Sequence, residues 1–221
     1  MTTKLFTFSN FPMRNSEIKF FRTLVNDMLN WQNRLFHHLN HEGEELMGYP
    51  RIQYRLFKGK ASLFGINEGG DAISNFVAEN MYEFPEEMQL VSLKSEELDV
   101  KISEDKYFYK LHYYVPFSET EYLKWNSVEG LVQRLLIIEE KIRSDIHIFL
   151  RDMNMEEFTN DVWVKIESFE DKGNTLLPKQ LDEEQTGAFN ISFSSNIIVP
   201  SDIAIGKGVL YNYGVLSRII V

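Results

Sequence analysis

The sequence contains no cysteine. Disulfide staples and thiolate metal sites are therefore excluded, and the composition suits a reducing compartment. Long apolar runs are also missing: none approaches the roughly 20 residues that span a bilayer. The opening Met1-Thr-Thr-Lys-Leu-Phe lacks the apolar stretch of a secretory signal, so a cytoplasmic protein with no membrane partner is expected. Basic charge is scarce, with 23 Lys and Arg against 33 Asp and Glu and a net charge of −10. Such a balance argues against a generic nucleic-acid binder, because phosphate contacts need Lys and Arg. Walker loops, Gly-x-Ser-x-Gly elbows and His-Glu-x-x-His helices are absent, as are low-complexity segments and short repeats.

What is present describes a well-buried chain. Hydrophobic residues make up 43% and aromatics 14%, enough for a proper core, and 221 residues suffice for one large domain or two small ones. Charge is unevenly spread. Eight acids and two lysines fall between Glu83 and Asp105, the signature of a solvated face or linker. Arg51, Arg55, Lys58 and Lys60 form a local basic cluster with no acid among them.

The hydrophobic pattern orders the elements. Residues 4–9 read as a strand, and apolar positions Ile18, Phe21, Leu24, Val25, Met28 and Leu29 recur at helical spacing. A polar, histidine-bearing connection covers residues 30–48. Ile52, Tyr54 and Leu56 alternate with Gln53 and Arg55, predicting a half-buried strand that turns at Lys58-Gly59-Lys60 into a second strand over 61–66. Gly69-Gly70 leads into a helix with Ala72, Ile73, Phe76, Val77 and Met81 on one face, and Leu90 to Leu93 with its acidic continuation supplies a fourth strand. That order is βαββαβ, the ferredoxin-like unit. A charged stretch, 95–106, separates it from a second half with an alternating strand (Tyr107, Tyr109, Leu111, Tyr113, Val115). A long helix follows, with a stripe of Val128, Leu131, Leu135, Ile138, Ile142, Ile146 and Phe149. Strands then fall at 162–166 and 189–193, and a final apolar strand is expected over 209–221. The predicted fold class is α+β: tandem ferredoxin-like, RRM-like domains over 1–105 and 106–221, each an antiparallel sheet with helices on one face.

Two stretches carry chemistry. His37, His38 and His41 are three of the five histidines and fall in one polar loop. Histidine is the side chain best placed to move protons near neutral pH; the same loop also reads as a solvated one, and it has no second ligand cluster to make a zinc site. Near the C-terminus, Gly206-Lys207-Gly208 brackets a lysine between strands and Tyr213-Gly214 follows. Glycines let backbone N–H groups approach an anion, and the lysine adds a point charge, so phosphate is the natural ligand; a plain turn has the same composition. Tyr49, Tyr54 and two tyrosines expected to be exposed, Tyr211 and Tyr213, are candidates to stack on bases. His112 and His147 read as structural.

The ordered set Phe36-His37-His38-x-x-His41-Glu-Gly, Tyr49-Pro50-Arg-Ile52-Gln53-Tyr54-Arg55, Gly59-Lys60-Ala61 and Gly65-Ile-Asn-Glu68-Gly69 resembles the CRISPR repeat-RNA processing endoribonucleases of the RAMP superfamily, in particular their b-type branch. Phe193-x-x-Asn196, Pro200, Ile205-Gly206-Lys207-Gly208 and Tyr213-Gly214 extend the resemblance along nearly the whole chain. It implies metal-independent, cofactor-free cleavage of a CRISPR repeat RNA, leaving a 2′,3′-cyclic phosphate and a 5′-hydroxyl. It also implies a monomer or homodimer, with other CRISPR effector subunits as further partners. By the resemblance, His41 and one of His37 and His38 are the acid and base, and Lys60 or Arg55 steadies the phosphate. RNA contacts map to Arg51, Arg55, Lys58, Lys60, Gly206, Lys207, Gly208, Tyr213 and Gly214. Two departures stand out: the histidines are spaced His-His-Leu-Asn-His, and Asn212 occupies a position where the family has glycine. Two rival readings share the pattern. One is a catalytically silent RNA-binding member, and the other a ferredoxin-like interaction protein with no nucleic-acid partner.

Overall fold

The computed structural model describes residues 1–40, 42–43, 46, 48–178 and 183–219. β1 (Thr2–Pro12) buries Leu5, Phe6 and Phe8 and lies at the centre of a four-stranded antiparallel sheet ordered β2-β3-β1-β4. Its neighbours are β3 (Lys60–Ile66) and the edge strand β4 (Val91–Glu97); β2 (Ile52–Phe57) closes the other edge. β2 and β3 meet through Lys58-Gly59, both at positive φ (51° and 74°), the two-residue turn whose twist matches the paired strands. α1 (Ile18–Met28) and α3 (Glu68–Asn80) complete the βαββαβ order expected from the sequence, with a short added helix, α2 (Arg34–His37). Aromatic edges fill the core: Phe21 packs on Phe8 at 5.6 Å and on Tyr54 at 5.8 Å, and Phe36 on Phe76 at 5.4 Å. Such edge-to-face pairs match each ring's positive rim to a neighbour's negative face.

The second sheet is ordered β6-β7-β5-β8, again antiparallel. It is built from β5 (Lys101–Tyr114), β6 (Val164–Pro178), β7 (Glu183–Ile198) and β8 (Val215–Ile219). α4 (Glu119–Asn126) and α5 (Leu131–Asp152) lie between β5 and β6. Ser118 starts α4 with a reciprocal capping box, its hydroxyl accepting from the Glu121 N–H while the Glu121 carboxylate accepts from the Ser118 N–H. Ile138, Ile142, Ile146, Phe149 and Leu150 form the buried stripe of α5. The strand order matches the ferredoxin-like one, but residues 199–214 carry turns and bridges where a second crossover helix would lie.

Several sequence expectations are corrected. The charged stretch 95–106 is mostly strand, its charges standing on exposed faces of β4 and β5, and only Leu98-Asp99-Val100 connect them. Both faces of β2 are covered: Ile52, Gln53, Tyr54 and Arg55 are all buried, so the strand is not half-buried. Leu131 is 63% exposed and falls off the α5 stripe. The last strand begins only at Val215, because Gly208, Asn212 and Gly214 take positive φ (72°, 66° and 66°) that breaks extended pairing before it. Among the described residues no helix is long and apolar enough to cross a membrane.

The chain divides into two units. The first comprises Met1–Leu98 with Leu210–Asn212; the second comprises Asp99–Val209 with Tyr213–Val221. Three residues of the C-terminal loop thus belong to the first unit. Tyr211 bridges to Tyr54 of β2, and Asn212 accepts from the Leu56 N–H at 3.2 Å and donates to Asn15 at 2.9 Å.

Candidate functional site

In the first unit, Asn33 caps α2 by accepting from the Leu35 N–H at 3.1 Å, and the helix stops after one turn because His38 adopts a left-handed conformation (φ 52°). This turn carries two of the three histidines. His37 is 7% exposed, and its Nδ1 accepts from the Leu39 N–H at 3.0 Å. An accepting Nδ1 places the ring proton on Nε2, so the neutral ring is a hydrogen-bond donor at its other edge. His38 is half-buried, its carbonyl accepting from the Leu46 N–H at 2.9 Å. Both imidazoles are held below the usual histidine range. For His37 the causes are burial, then the charges of Arg22 and Arg34; for His38, burial and Arg22, partly opposed by backbone hydrogen bonds at Gly48 and Leu46. His41 lies outside the described residues.

Below this turn is a buried polar network absent from the sequence reading. Arg22 of α1 is 5% exposed; its Nη1 donates to the Tyr211 hydroxyl at 2.7 Å and its Nη2 to the His37 carbonyl. Asn26, one turn on, donates to the Tyr54 hydroxyl at 2.9 Å, and that hydroxyl donates to the Phe36 carbonyl at 3.2 Å. Positions 18, 21, 22, 25 and 26 share the buried face of α1. An arginine and an asparagine on an apolar helical face were the available signal.

The basic cluster is dispersed. Arg51 pairs with Glu68 at 2.8 Å, and Arg55 is buried, donating to Gln53 with its guanidinium over the Phe64 ring. Lys58 is exposed at the β2–β3 turn, and Lys60 is half-exposed beside it. Tyr211 and Tyr213, expected at the surface, are 3% and 8% exposed. Tyr213 donates to the Leu176 carbonyl at 3.3 Å.

In the second unit the glycine-bracketed lysine is tied to β5. The Lys207 N–H donates to the Val115 carbonyl at 2.9 Å and the Gly214 N–H to the Tyr113 carbonyl at 3.1 Å. A bulge there places Tyr113 at φ 48° and leaves its side chain 51% exposed, while Tyr114 turns fully inward. The strict alternation of the sequence reading therefore breaks at Tyr113. Gly206 is required by geometry: at φ 90°, a Cβ would fall on the Tyr114 ring. Beneath the loop Tyr114 donates to Asp145 at 2.6 Å. Burial raises Asp145 to about 6, against the Tyr114 hydrogen bond and the charges of Lys141 and Lys207. Among the described residues no group of His, Asp and Glu side chains could hold a metal ion.

Two four-stranded antiparallel sheets with ferredoxin-like strand order define the class of protein: tandem ferredoxin-like domains. The chain belongs to the Cas6b family: the model of the Cas6b N-terminal domain matches residues 1–104, and that of the Cas6b C-terminal domain matches residues 101–219. Among solved structures, one described as a crystal structure of Cas6b superposes with a TM-score of 0.79 at 12% identity, covering 99% of both chains. A CRISPR RNA processing endoribonuclease Cas6b superposes at 0.73 with 13% identity, covering 99% of this chain and 100% of that one. Csf5, a type IV Cas6 crRNA endonuclease, superposes at 0.70 with 10% identity over the full length of both. At such identities the likeness concerns the fold. No curated protein matches the chain.

Proposed function

We propose that this protein is an endoribonuclease that cuts a CRISPR repeat RNA without a metal ion. The observation that carries the reading is membership of the Cas6b family along essentially the whole chain, over residues 1–104 and 101–219. The reaction is an in-line displacement within the RNA. The 2′-oxygen forms a bond to the adjacent phosphorus as the bond to the 5′-oxygen breaks, leaving a 2′,3′-cyclic phosphate and a 5′-hydroxyl. One proton must leave the 2′-hydroxyl and one must reach the departing 5′-oxygen, so a base and an acid are required.

His38 and His41 take these two roles. His37 is the scaffold of the turn, since its ring is buried and its Nδ1 is occupied by the Leu39 N–H. A histidine held below the ordinary range is neutral near pH 7 and so available as a base, which suits His38. Of the cations named for the phosphate, Lys60 is preferred to Arg55, because the latter is 3% exposed. Lys58 and Lys207 hold the RNA backbone.

The experiment is a comparison of wild-type protein with a His37/His38/His41 triple alanine variant on repeat RNA. Cleavage by the wild type alone, with RNA still bound by the variant, is expected. Equal cleavage by both removes the histidines from the chemistry, and binding without cleavage by the wild type makes the protein a silent RNA-binding member.

A further inference from the structure

We infer that Arg22 is a positioning residue for this reaction, a permanently charged clamp that fixes the histidine turn to the Tyr211 segment and sets the potential felt by its imidazoles. The inference rests on the nuclease reading above.

Its geometry is unusual for an interior arginine. The side chain is 5% exposed, yet no carboxylate pairs with it among the described residues. One guanidinium arm reaches the Tyr211 hydroxyl at 2.7 Å, the other reaches the His37 carbonyl, and Nε has no hydrogen-bond partner. The guanidinium carbon also sits 5.4 Å from the Tyr211 ring centroid, where the π face offsets some of the charge. The guanidinium is the cationic side chain that proteins do not deprotonate. A buried cation with no anion is destabilising for the resting protein, and interior arginines normally have a carboxylate. Among the described residues no carboxylate pairs with this charge at the turn that carries His37 and His38.

Among the described residues the groups facing the two imidazoles are few. Arg22 from α1, Arg34 from α2 and the Trp31 ring at 6.2 Å face His37. Arg22, His37 and the backbone at Leu46 and Gly48 face His38. Tyr54 of β2 faces Arg22 through a phenol that burial keeps protonated. Of these, Arg22 is the charge common to both rings.

The test uses the full chain with Arg22→Gln, which keeps hydrogen-bonding capacity without charge, and Arg22→Lys, which keeps charge without the fork. Two readouts are taken. Histidine Cε1–H signals are titrated by NMR in the absence of RNA, and single-turnover cleavage of repeat RNA is followed against pH. In Arg22→Gln the His37 and His38 titrations are expected to move up, because one of the causes that lower them is removed. The acidic limb of cleavage should move with them, and the plateau rate should fall about 10- to 100-fold as the turn loosens, with RNA affinity within about threefold of wild type. Arg22→Lys should restore the pH limb but not the full rate. Unmoved imidazoles in folded Arg22→Gln overturn the proposal whatever the nuclease does, as does a fall in rate that only tracks lost folded protein with an unshifted limb. If the imidazoles move but the wild type never cuts, it is the nuclease reading that fails.

Discussion

Tyr114 donates a 2.6 Å hydrogen bond to Asp145, joining the inward-turned end of β5 to the middle of α5. The phenol is fully buried, and the carboxyl is lifted by burial to about 6. A raised carboxylate favours the folded state only while protonated. Its contribution is fully present below the ordinary aspartate range and is lost as pH rises through about 6. A shift of this size corresponds to roughly 2–3 kcal/mol. The Asp145→Asn protein keeps an acceptor for Tyr114 and should lack this loss. Urea melts of the two proteins from pH 4 to 7 measure it as a difference, in which the histidines cancel. Parallel curves would mean that Asp145 ionises at an ordinary pH.

Glu121 acts in the opposite direction. Lys141, at 2.6 Å, and the Ser118 N–H hold it down to about 2. Its contribution is present above the ordinary glutamate range and fades as pH falls toward 2. The pair is partly exposed, so salt should weaken it. A Glu121→Gln protein is expected to show a smaller stability loss than wild type between pH 5 and 3 in low salt, with the gap narrowing in about 0.5 M salt. A gap that salt does not touch would contradict the ion pair.

Gly214 sits at φ 66°, and a methyl group there would fall on the Ile205 carbonyl oxygen, which is backbone and cannot step aside. Gly214→Ala should therefore cost about 3 kcal/mol in a denaturant melt. RNA affinity should fall with it, because the same turn presents Lys207. A stability change below about 0.5 kcal/mol would show that the turn is not built this way.

Lys207→Ala should weaken RNA binding and lower the slope of log K against log salt by about 0.7, the share of one single-strand phosphate. Cleavage at saturating protein should be nearly unchanged. An unaltered slope would remove Lys207 from the phosphate contacts.

The βαββαβ order was legible because the strands and helices of the first unit carry clean periods of two and 3.6, punctuated at Lys58-Gly59 and Gly69-Gly70. Asn212, where the family has glycine, adopts φ 66°, a left-handed backbone that asparagine tolerates better than most residues. What escaped had tertiary causes. The charged residues of 95–106 hide the end of β4 and the start of β5 because runs of consecutive positions there, 92–95 and 104–106, are exposed, so no buried alternation marks the strands. The Tyr113 bulge reverses the faces of β5, which no local composition announces. Tyr211 looks like a surface aromatic until β2 and Arg22 are seen to enclose it. Of the candidate site, the histidine loop and the glycine-bracketed lysine were the stretches that composition singled out. It did not separate His37 from His38, because their difference lies in a left-handed residue and one backbone N–H.

The division of labour among the histidines is open to single substitutions. His38→Ala should slow cleavage by about 10²–10⁴-fold with little change in RNA affinity. His37→Ala should chiefly lower stability, as the loss of a buried ring and its hydrogen bond requires. A His37→Ala protein that is as stable as wild type yet inactive would exchange the two assignments.

The most direct measurement is cleavage of end-labelled CRISPR repeat RNA by the purified protein in EDTA, with analysis of the new ends. A single cut bearing a 2′,3′-cyclic phosphate and a 5′-hydroxyl is the predicted result. Intact RNA in EDTA that is cut only when a divalent metal is restored, or that is bound and never cut, would contradict it.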